Sequence, residues 1–276
     1  MKILSLFDGM SVGYQALKNV WCDIEKYYAS EIDKYAIQIA KKNHPDIIHI
    51  WDVSKVKWKD VDIIIGGSPC QWFSYQGKQL NFEDIRSKLF FEYVRLIKEI
   101  KPKYFLLENV KMKKEWSNLI TEFLYWVEPI LINSSLFTSQ NRERLYWVWE
   151  LQEDWTYKQV KIQQPEDKWV LFETIYSKWT ENNVSDKYIE YAKTAKFKSD
   201  RPVILPKDKA NTLLAWSKKL YKYNNIYRKL TPEEMEELQW LPVWYTEWVS
   251  NTQRSKMLGN WWTLPVIEFI FKQLIC

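Results

Sequence analysis

A cysteine thiol is the first candidate for chemistry in this chain. Cys70 lies between Pro69 and Gln71, directly after the apolar run 61–65 and two glycines. A short β-type run ending in glycines delivers the next loop to the carboxyl edge of a sheet, where open α/β folds bind ligands. Free cysteines more often pack as small hydrophobes. Here the proline and glycines predict a turn instead, so we interpret Cys70 as a reactive thiol.

A second candidate is the loop at residues 7–13, which follows the first predicted strand and contains Gly9 and Gly13. Two glycines four apart can admit an adenosine-like cofactor. The loop lacks G-x-G-x-x-G spacing, and plain turn chemistry is the alternative. Glu31 ends the second predicted strand, where a carboxylate can accept hydrogen bonds from ribose hydroxyls, although it could equally be an ordinary surface carboxylate. Asp52, after the third strand, is the next candidate.

The net charge of +5 is unevenly distributed. Residues 191–230 contain eleven Lys or Arg against two Asp, a net charge of +9, so the rest of the chain is net negative. Six aromatic residues alternate with these cations. Cationic charge interleaved with rings suits a phosphate backbone together with base or sugar contacts. A solvated lysine-rich surface is the alternative.

The elements that must position these candidates alternate between strand and helix. Predicted strands lie at residues 2–7, 27–30, 47–50, 61–65 and 104–107, and predicted helices at 15–19, 33–43 and 86–101. This alternation predicts an α/β fold with a doubly wound, mainly parallel, Rossmann-like sheet. Residues 130–136 and 145–149 predict a closing hairpin. Thr231 is a predicted N-cap with Pro232 at the first helical position, and the last helix begins near Leu264.

Length and cysteine usage limit the class of protein. A chain of 276 residues can form one large α/β domain with a small insertion, or two modest domains. Cys22, Cys70 and Cys276 are widely spaced and have no C-x-x-C or His partners, so neither disulfides nor a zinc site is predicted. No run approaches eighteen apolar residues and no signal-peptide core is present. We expect a soluble protein in a reducing, intracellular environment.

Ordered motifs resemble those of the C5-cytosine DNA methyltransferases, from Lys2 to nearly the last residue. The motifs are the cofactor loop at 7–13, the nucleophile loop Ser68-Pro69-Cys70-Gln71, the triplet Glu108-Asn109-Val110, the Gln-x-Arg-x-Arg element at 140–144, the segment 228–239 and Gly259-Asn260. The resemblance implies a catalytic and cofactor-binding domain at 1–150. It further implies a small, irregular target-recognition insert at 151–227 and a C-terminal segment at 228–276 that returns to the catalytic domain.

The same resemblance implies a reaction. Cys70 would add to C6 of a flipped cytosine while Glu108 binds N3, so that C5 takes a methyl group from S-adenosylmethionine and S-adenosylhomocysteine is released. Arg142 and Arg144 would stabilise the thiolate and the developing charge, or else form salt bridges. The implied cofactor contacts are Phe7, Asp8, Gly9, Gly13, Glu31, Asp52, Ser68 and Asn260. The implied nucleic-acid contacts are Gln71, Ser74, Gln140, Lys207, Lys209, Lys218, Lys219 and Arg228. No metal is implied.

Within the implied cofactor set, Phe7 would stack on the adenine, Glu31 would bind the ribose hydroxyls, Asp52 would contact the adenine and Asn260 would lie near the methionine part. The implied partner is double-stranded DNA, bound by a monomer with no membrane association. It would act in the cytoplasm of a prokaryotic cell or phage-infected host, with or without a cognate restriction endonuclease. Two alternatives stay open, an RNA cytosine-C5 methyltransferase of the tRNA-modifying branch and a non-catalytic DNA-binding relative.

Tryptophan occupies positions where the resembling family has glycine. The chain has 17 Trp and 6 Gly, whereas about 7% Gly would give roughly 19. The positions are Trp21, Trp51, Trp72, Trp126, Trp240, Trp248 and Trp261, whereas Trp147 and Trp262 look natural. Bulky side chains at turns selected for positive φ should strain the fold. We hypothesise that the gene comes from an organism or phage that reads UGA as glycine. A decayed, inactive copy is the alternative, but decay should scatter substitutions among many residue types.

Overall fold

The computed structural model describes residues 1–57, 60–68, 85–176, 184–194, 203–204, 208–215, 220–223 and 226–275. The chain forms two compact units. Unit 1 consists of Met1–Asn133, Glu143–Gln164 and Leu264–Cys276, and unit 2 consists of Ser134–Arg142 and Pro165–Thr263. The predicted boundaries at residues 150 and 227 separate functional regions, whereas the two units are separated by their internal contacts. The predicted boundaries stay a prediction.

Unit 1 is built on a mainly parallel sheet. Its strands are β1 (Lys2–Leu6), β2 (Lys26–Ser30), β3 (Ile48–His49), β4 (Ile63–Gly67), β5 (Tyr104–Val110), β6 (Ile130–Asn133), β7 (Glu143–Leu151) and β8 (Tyr157–Gln159). Their order is β3-β2-β1-β4-β5-β7-β6, with β8 paired to β7. The first five strands are parallel, and β6, β7 and β8 pair antiparallel. The predicted fold class and the predicted β6–β7 hairpin are confirmed.

The order of the strands reverses next to β1. The chain moves outward from β1 through β2 to β3, and then returns to place β4 on the other side of β1. Such a switch point opens a crevice at the carboxyl ends of the two central strands, where α/β proteins bind ligands. The loops that follow β1 and β4 border this position. They are the loops that contain the predicted cofactor and nucleophile motifs.

The described helices are α1 (Val12–Asn19), α2 (Lys34–Asn43), α3 (Ile85–Ile100), α4 (Lys114–Phe123), α5 (Glu173–Tyr176), α6 (Asp186–Thr194), α7 (Pro232–Leu238), α8 (Asn251–Asn260) and α9 (Leu264–Leu274). Helices that cover both faces of a parallel sheet bury its strands as continuous apolar runs. Ile63, Ile64 and Ile65 of β4 are accordingly all fully buried. None of the helices in the described ranges is both long and apolar enough to cross a membrane.

Unit 2 contains short strands that were not predicted from the sequence. Strands β9 (Val203–Ile204), β10 (Tyr221–Tyr223) and β11 (Ile226–Arg228) form a small sheet in the order β11-β10-β9. Helix α7 begins as predicted, with Thr231 as N-cap and Pro232 in its first turn. Glu234 completes a capping box, because its amide donates to the Thr231 hydroxyl while its carboxylate accepts from the Thr231 amide.

Candidate cofactor and catalytic site

The loop between β1 and α1 has an unusual backbone. Phe7, Gly9 and Ser11 have φ angles of 55°, 64° and 61°, so every second residue is left-handed. Gly9 adopts this conformation without steric strain, whereas each of the other two costs about 1–3 kcal/mol. Strained backbone of this kind clusters at ligand sites. The geometry therefore favours a ligand-binding loop over an ordinary turn.

The Glu31 carboxylate holds this loop against the end of β2. It accepts hydrogen bonds from the amides of Gly9 over 2.9 Å and of Ile32 and Asp33 over 2.7 Å each. Burial raises the pKa of Glu31, and these three bonds oppose the rise. A carboxylate has about four acceptor positions, so about one remains for a ribose hydroxyl. Glu31 is thus a buried carboxylate and not an ordinary surface one, and its contact with a ribose stays a prediction.

Asp8 is bonded to one side chain within the loop and to one on β2. Its carboxylate accepts hydrogen bonds from the Ser11 hydroxyl over 2.5 Å and from the Tyr27 hydroxyl over 2.6 Å, one on each oxygen. Burial raises the pKa of Asp8 to about 6, although these bonds act to lower it. These bonds give Asp8 a role in shaping the loop, and its predicted contact with the cofactor stays a prediction. Gly13 is buried in α1, and its predicted contact with the cofactor likewise stays a prediction.

Asp52 follows β3 and caps a short 3-10 turn at Val53–Lys55. Its carboxylate accepts from the Ser54 amide over 3.0 Å and the Ser54 hydroxyl over 2.8 Å, and these bonds lower the pKa of Asp52. The Ser30 hydroxyl donates to the Trp51 carbonyl over 2.9 Å, which ties the end of β2 to this turn. Since β1, β2 and β3 are parallel, the residues that follow them share one edge of the sheet.

A buried hydrogen bond joins the ends of β4 and β5. The side-chain amide of Asn109 donates from Nδ2 to the Ser68 hydroxyl over 3.0 Å, and both residues are buried. The Asn109 Oδ1 accepts from the Val110 amide over 2.8 Å, which fixes the orientation of the Asn109 side chain. Ser68, predicted as a cofactor contact, is therefore an anchor at the start of the segment that leads to Cys70. Cys70 lies outside the described residues, as do Gln71 and Ser74.

Glu108 lies on β5 directly opposite Gly67 of β4. Its carboxylate forms an ion pair with Nε of Arg144 on β7 over 3.1 Å, and both side chains are mostly buried. Arg144 also donates to the Glu143 carbonyl over 2.8 Å. The salt-bridge alternative for Arg144 is thus realised, with the predicted catalytic carboxylate as its partner. This pairing orients the Glu108 carboxyl group at the sheet edge.

Gly66 supports the sheet rather than a ligand. A Cβ at this position would lie 2.8 Å from the Leu6 carbonyl oxygen of β1. Only glycine lets β4 approach β1 so closely. A close approach of backbone therefore occurs between β1 and β4, the two strands at the switch point. Among the residues placed by the structure, no group of three or more His, Cys, Asp or Glu side chains could hold a metal ion.

Comparison with known proteins decides the family. A family profile described as C-5 cytosine-specific DNA methylase matches residues 1–202 and 148–276. The chain belongs to this family. The predicted family is confirmed, and methylation of cytosine C5 in DNA, the predicted activity, is the activity for which the family is named. The tRNA-modifying alternative is not favoured.

Relatives of this DNA methylase come from bacteria and phages. Over 99% of its length, the chain is 31% identical to the type II methyltransferase M1.ScrFI of Lactococcus lactis subsp. cremoris and covers 78% of that protein. It is 40% identical to the orphan methyltransferase M.Rho11sI of Bacillus phage rho11s, over 53% of the chain and 32% of that protein. The chain thus spans most of the first relative and about a third of the second.

Solved structures share the fold of this DNA methylase along the whole chain. A DNMT2 variant from Spodoptera frugiperda has a TM-score of 0.76 at 22% identity, with 100% of this chain and 99% of that chain covered. A prophage-encoded DNA modification methyltransferase of E. coli has a TM-score of 0.74 at 19% identity, with 99% of both chains covered. At these identities the likeness concerns the fold alone.

Two residues of the Gln-x-Arg-x-Arg element of this methylase are buried within unit 2. Arg142 donates to the carbonyls of Leu213 over 3.0 Å, Gly259 over 3.2 Å and Trp261 over 2.8 Å. Gln140 donates to the Leu238 carbonyl over 3.2 Å and accepts from the Leu213 amide over 3.0 Å. Both side chains tie backbone segments of unit 2 together. The predicted roles of Arg142 in catalysis and of Gln140 at DNA stay predictions.

Two cations of the basic segment, Lys209 and Arg228, have partners inside unit 2. Lys209 donates to the Ser135 carbonyl over 2.6 Å and lies 3.5 Å from Asp167. Arg228 is buried and donates to both carboxylate oxygens of Glu234 over 2.8 and 2.6 Å. These contacts give Lys209 and Arg228 structural partners, and their predicted binding of nucleic acid stays a prediction. Lys207, Lys218 and Lys219 lie outside the described residues.

Asn260 is the last residue of α8 and is exposed. It belongs to unit 2, whereas Phe7, Glu31 and Asp52 belong to unit 1. The described structure brings the cofactor candidates of unit 1 to one sheet edge, and the role of Asn260 stays a prediction.

Sequence reasoning missed two buried polar groups. Asn109 was part of a motif but had no assigned role, and only its bond to Ser68 reveals one. Arg254 pairs with Glu233 over 2.7 Å and with Glu236 over 3.0 Å, so two acids of α7 are structural. Glu233 lies in the first turn of α7 and Glu236 lies further along it, and neither position offers a sequence signal for a partner eighteen or more residues away.

Proposed function

We propose that this chain transfers a methyl group from S-adenosylmethionine to C5 of cytosine in duplex DNA, with Cys70 as nucleophile. One observation carries the proposal. Glu108 and Ser68 lie at the adjacent ends of β5 and β4, beside the strained loop that follows β1. The switch point of the sheet thus brings together the proposed acid Glu108, the loop proposed to bind the cofactor, and Ser68, which anchors the segment that leads to Cys70.

Phe7, Glu31 and Asp52 are the residues that would hold S-adenosylmethionine. They follow three parallel strands, and the left-handed backbone at Phe7 and Gly9 with the fixed Glu31 carboxylate fits an adenosine-type group. The ring of Phe7 would stack on the adenine, Asp52 would contact it, and Glu31 would accept from a ribose hydroxyl. When bound, S-adenosylmethionine supplies the methyl group. Family resemblance alone supports Asn260 near the methionine part.

The residues of the chain prepare the cytosine for methylation. The Cys70 thiolate forms a bond to C6, which moves electron density toward C5. Glu108 donates a proton or hydrogen bond to N3, so negative charge does not build up on the ring. After C5 gains the methyl group, a solvent base takes the C5 proton, the bond between Cys70 and C6 breaks to restore the thiolate, and a proton given to N3 returns to Glu108. Arg144 keeps the Glu108 carboxyl in position throughout.

Unit 2 is the proposed DNA-binding part, because it contains the segment 191–230 with its net charge of +9. Lys207, Lys218, Lys219, Gln71 and Ser74 remain the proposed contacts with DNA. The chain would act as a monomer in the cytoplasm of a bacterial or phage-infected cell. Relatives of both the type II and the orphan phage kind make a cognate restriction endonuclease an optional partner.

A covalent trap tests the nucleophile. Duplexes of varied sequence that contain 5-fluorocytosine are incubated with the protein and S-adenosylmethionine, since fluorine at C5 blocks release of the enzyme. We expect an adduct that survives denaturation with wild type and with C22S, and none with C70S. An adduct that persists in C70S, or no adduct with wild type across the duplex pool, contradicts the proposal.

A further inference from the structure

Helix α1 ends in a left-handed residue that is tryptophan. Trp21 follows the C-cap Val20 and has a φ of 61°. Its amide donates to the Lys18 carbonyl over 3.0 Å, and the Cys22 amide donates to the Leu17 carbonyl over 3.1 Å. These two bonds form a Schellman motif, whose left-handed position is usually glycine because a Cβ is strained there. The side chain is also 93% exposed, so its ring gains little packing.

Helix α7 ends in the same way. Trp240 follows the C-cap Gln239 with a φ of 61°. Its amide donates to the Glu237 carbonyl over 2.9 Å, and the Leu241 amide donates to the Glu236 carbonyl over 2.9 Å. Helix ends in both units therefore share one motif and place tryptophan at its glycine position.

The hairpin between β7 and β8 repeats the pattern in a different kind of turn. The Trp155 amide donates to the Gln152 carbonyl over 3.0 Å, and the Gln152 amide donates to the Thr156 carbonyl over 2.8 Å. Trp155 closes this turn with a φ of 63°. Hairpin loops that combine a tight turn with a left-handed residue favour glycine at the left-handed position.

These tryptophans belong to a larger set with two shared properties. Over the ranges that the structure describes, eleven non-glycine residues have positive φ, and seven of them are tryptophan. All seven are exposed. Positive φ is an outlier for a bulky residue, and tryptophan is ordinarily well buried. The set comprises Trp21, Trp51, Trp126, Trp155, Trp169, Trp240 and Trp244.

Buried tryptophans differ in whether the indole N–H has a hydrogen-bond partner. Trp147 donates its Nε1 hydrogen to the Thr121 hydroxyl over 3.0 Å. Trp149 is fully buried, yet its Nε1 has no partner in the described structure. The ring centroids of Trp149 and Phe105 are 3.5 Å apart, closer than the separation of about 4.5–7 Å usual for aromatic pairs. The buried Nε1 of Trp261 also has no partner among the described residues. Trp147 fits its site as tryptophan, and the other two do not.

We propose that nine tryptophans are glycine in the protein that its own cell makes, because UGA is read there as glycine. They are the seven left-handed residues together with Trp149 and Trp261. Glycine removes the strained Cβ at the first seven positions and the misfit ring at the last two. Glycine at position 51 also removes backbone strain directly before Asp52, at the edge of the proposed cofactor site. The proposal rests on backbone and packing geometry and is independent of the proposed function.

One tryptic peptide tests the proposal with its own internal control. Cleavage after Arg144 and Lys158 releases residues 145–158, which contain Trp147, Trp149 and Trp155. The peptide is isolated from protein purified from the cells that carry the gene, and its fragment-ion series is read by mass spectrometry. We expect tryptophan at 147 and glycine at 149 and 155, with UGG and UGA codons respectively. Tryptophan at 149 or 155 overturns the proposal. Glycine at 147 would show that backbone and packing geometry do not distinguish true tryptophans from glycines.

Variants of the recombinant chain test the backbone strain separately. W21G and W21A both remove the exposed ring, but only glycine relieves the left-handed backbone. We expect a higher melting temperature for W21G than for W21A, and the same order at position 240. Trp116 lies within α4 and provides the matched control, because alanine should exceed glycine inside a helix. W21A or W240A melting above its glycine counterpart would count against the proposal.

Discussion

The Asn109 side chain donates to the Ser68 hydroxyl over 3.0 Å, and this buried bond ties the end of β5 to the end of β4. Ser68 lies two residues before Cys70, and Asn109 lies next to Glu108. One hydrogen bond therefore links the strand that supplies the proposed acid to the segment that supplies the proposed nucleophile. A buried polar bond of this kind restricts the relative position of both strands.

Loss of this bond should slow catalysis without weakening substrate binding. In N109A the Ser68 hydroxyl stays buried without its donor, which costs about 1–3 kcal/mol of stability. Misplaced reacting groups should lower kcat by about tenfold to a hundredfold. The KM for S-adenosylmethionine should change little, because the affected interaction acts in the transition state. The check is steady-state methylation kinetics.

A double-mutant cycle separates this coupling from general damage. S68A and N109A remove the same bond, so their combined loss of kcat should be clearly smaller than the sum of the single losses. S117A removes another buried serine hydroxyl of unit 1, on α4, and should retain kcat. Additive losses in the double variant would show that Asn109 and Ser68 act independently.

Replacement of the Glu108 carboxyl tests the acid. E108Q keeps the size of the side chain but cannot deliver a proton to N3, so kcat should fall by about 10²–10⁴-fold. E143Q makes the same chemical change at a carboxylate that pairs with Lys111 at the surface, 2.9 Å away. That control should retain its activity, since exposed pairs contribute little. Wild-type kcat in E108Q would remove Glu108 from the mechanism.

The buried pair of Arg228 and Glu234 should contribute to stability and not to DNA binding. R228A leaves Glu234 buried and unpaired, which should lower the free energy of unfolding by about 3–5 kcal/mol. K193A disrupts an exposed pair with Glu190, 2.6 Å apart, and should change it by only about 0–1 kcal/mol. Chemical denaturation measures both variants. Unchanged stability in R228A, together with weaker DNA binding, would instead support Arg228 as a DNA contact.

Asp8 should make stability depend on pH. Burial raises its pKa from 3.8 to about 6, so the folded protein retains a proton that the unfolded chain releases. Stability from Asp8 is therefore complete below pH ~4 and is lost as the pH rises to ~6. D8N remains neutral, so relative to wild type it should gain about 1–3 kcal/mol across this interval.

The difference between D8N and wild type isolates Asp8 from other titrating groups. Burial lowers the pKa of His44 to about 4, so His44 destabilises the fold as the pH falls and acts in the opposite direction. Denaturation of both proteins from pH 4 to 7 gives the difference curve. A flat curve would mean that Asp8 titrates alike in the folded and unfolded chain.

Local sequence signals were sufficient to predict the parallel strands of unit 1. Alternating apolar runs predicted the parallel strands, and Thr231 with Pro232 predicted the start of α7. These signals act over a few residues, so they can be read without the fold. Strand β8 was missed because three residues in a polar region show no apolar alternation, and pairing with β7 determines their conformation.

Side-chain partners could not be read in the same way. Gln140 and Arg142 belong to a recognised motif, yet their bonds to the backbone around residues 213, 238 and 259 depend on how the chain folds back. Trp155, Trp169 and Trp244 gave no sequence signal, because no family motif surrounds them. Their positive φ angles became evident only from the backbone. Of the expected positions, Trp248 is not left-handed, and Trp72 lies outside the described residues.

The product of the reaction tests the central claim most directly. The protein is incubated with S-adenosylmethionine carrying a labelled methyl group and either unmethylated genomic DNA or unmodified tRNA, and the digested nucleosides are identified by mass spectrometry. The account predicts labelled 5-methyl-2′-deoxycytidine from DNA, none with C70S, and no label in tRNA. Label in tRNA alone, or on any atom of DNA other than cytosine C5, would contradict it.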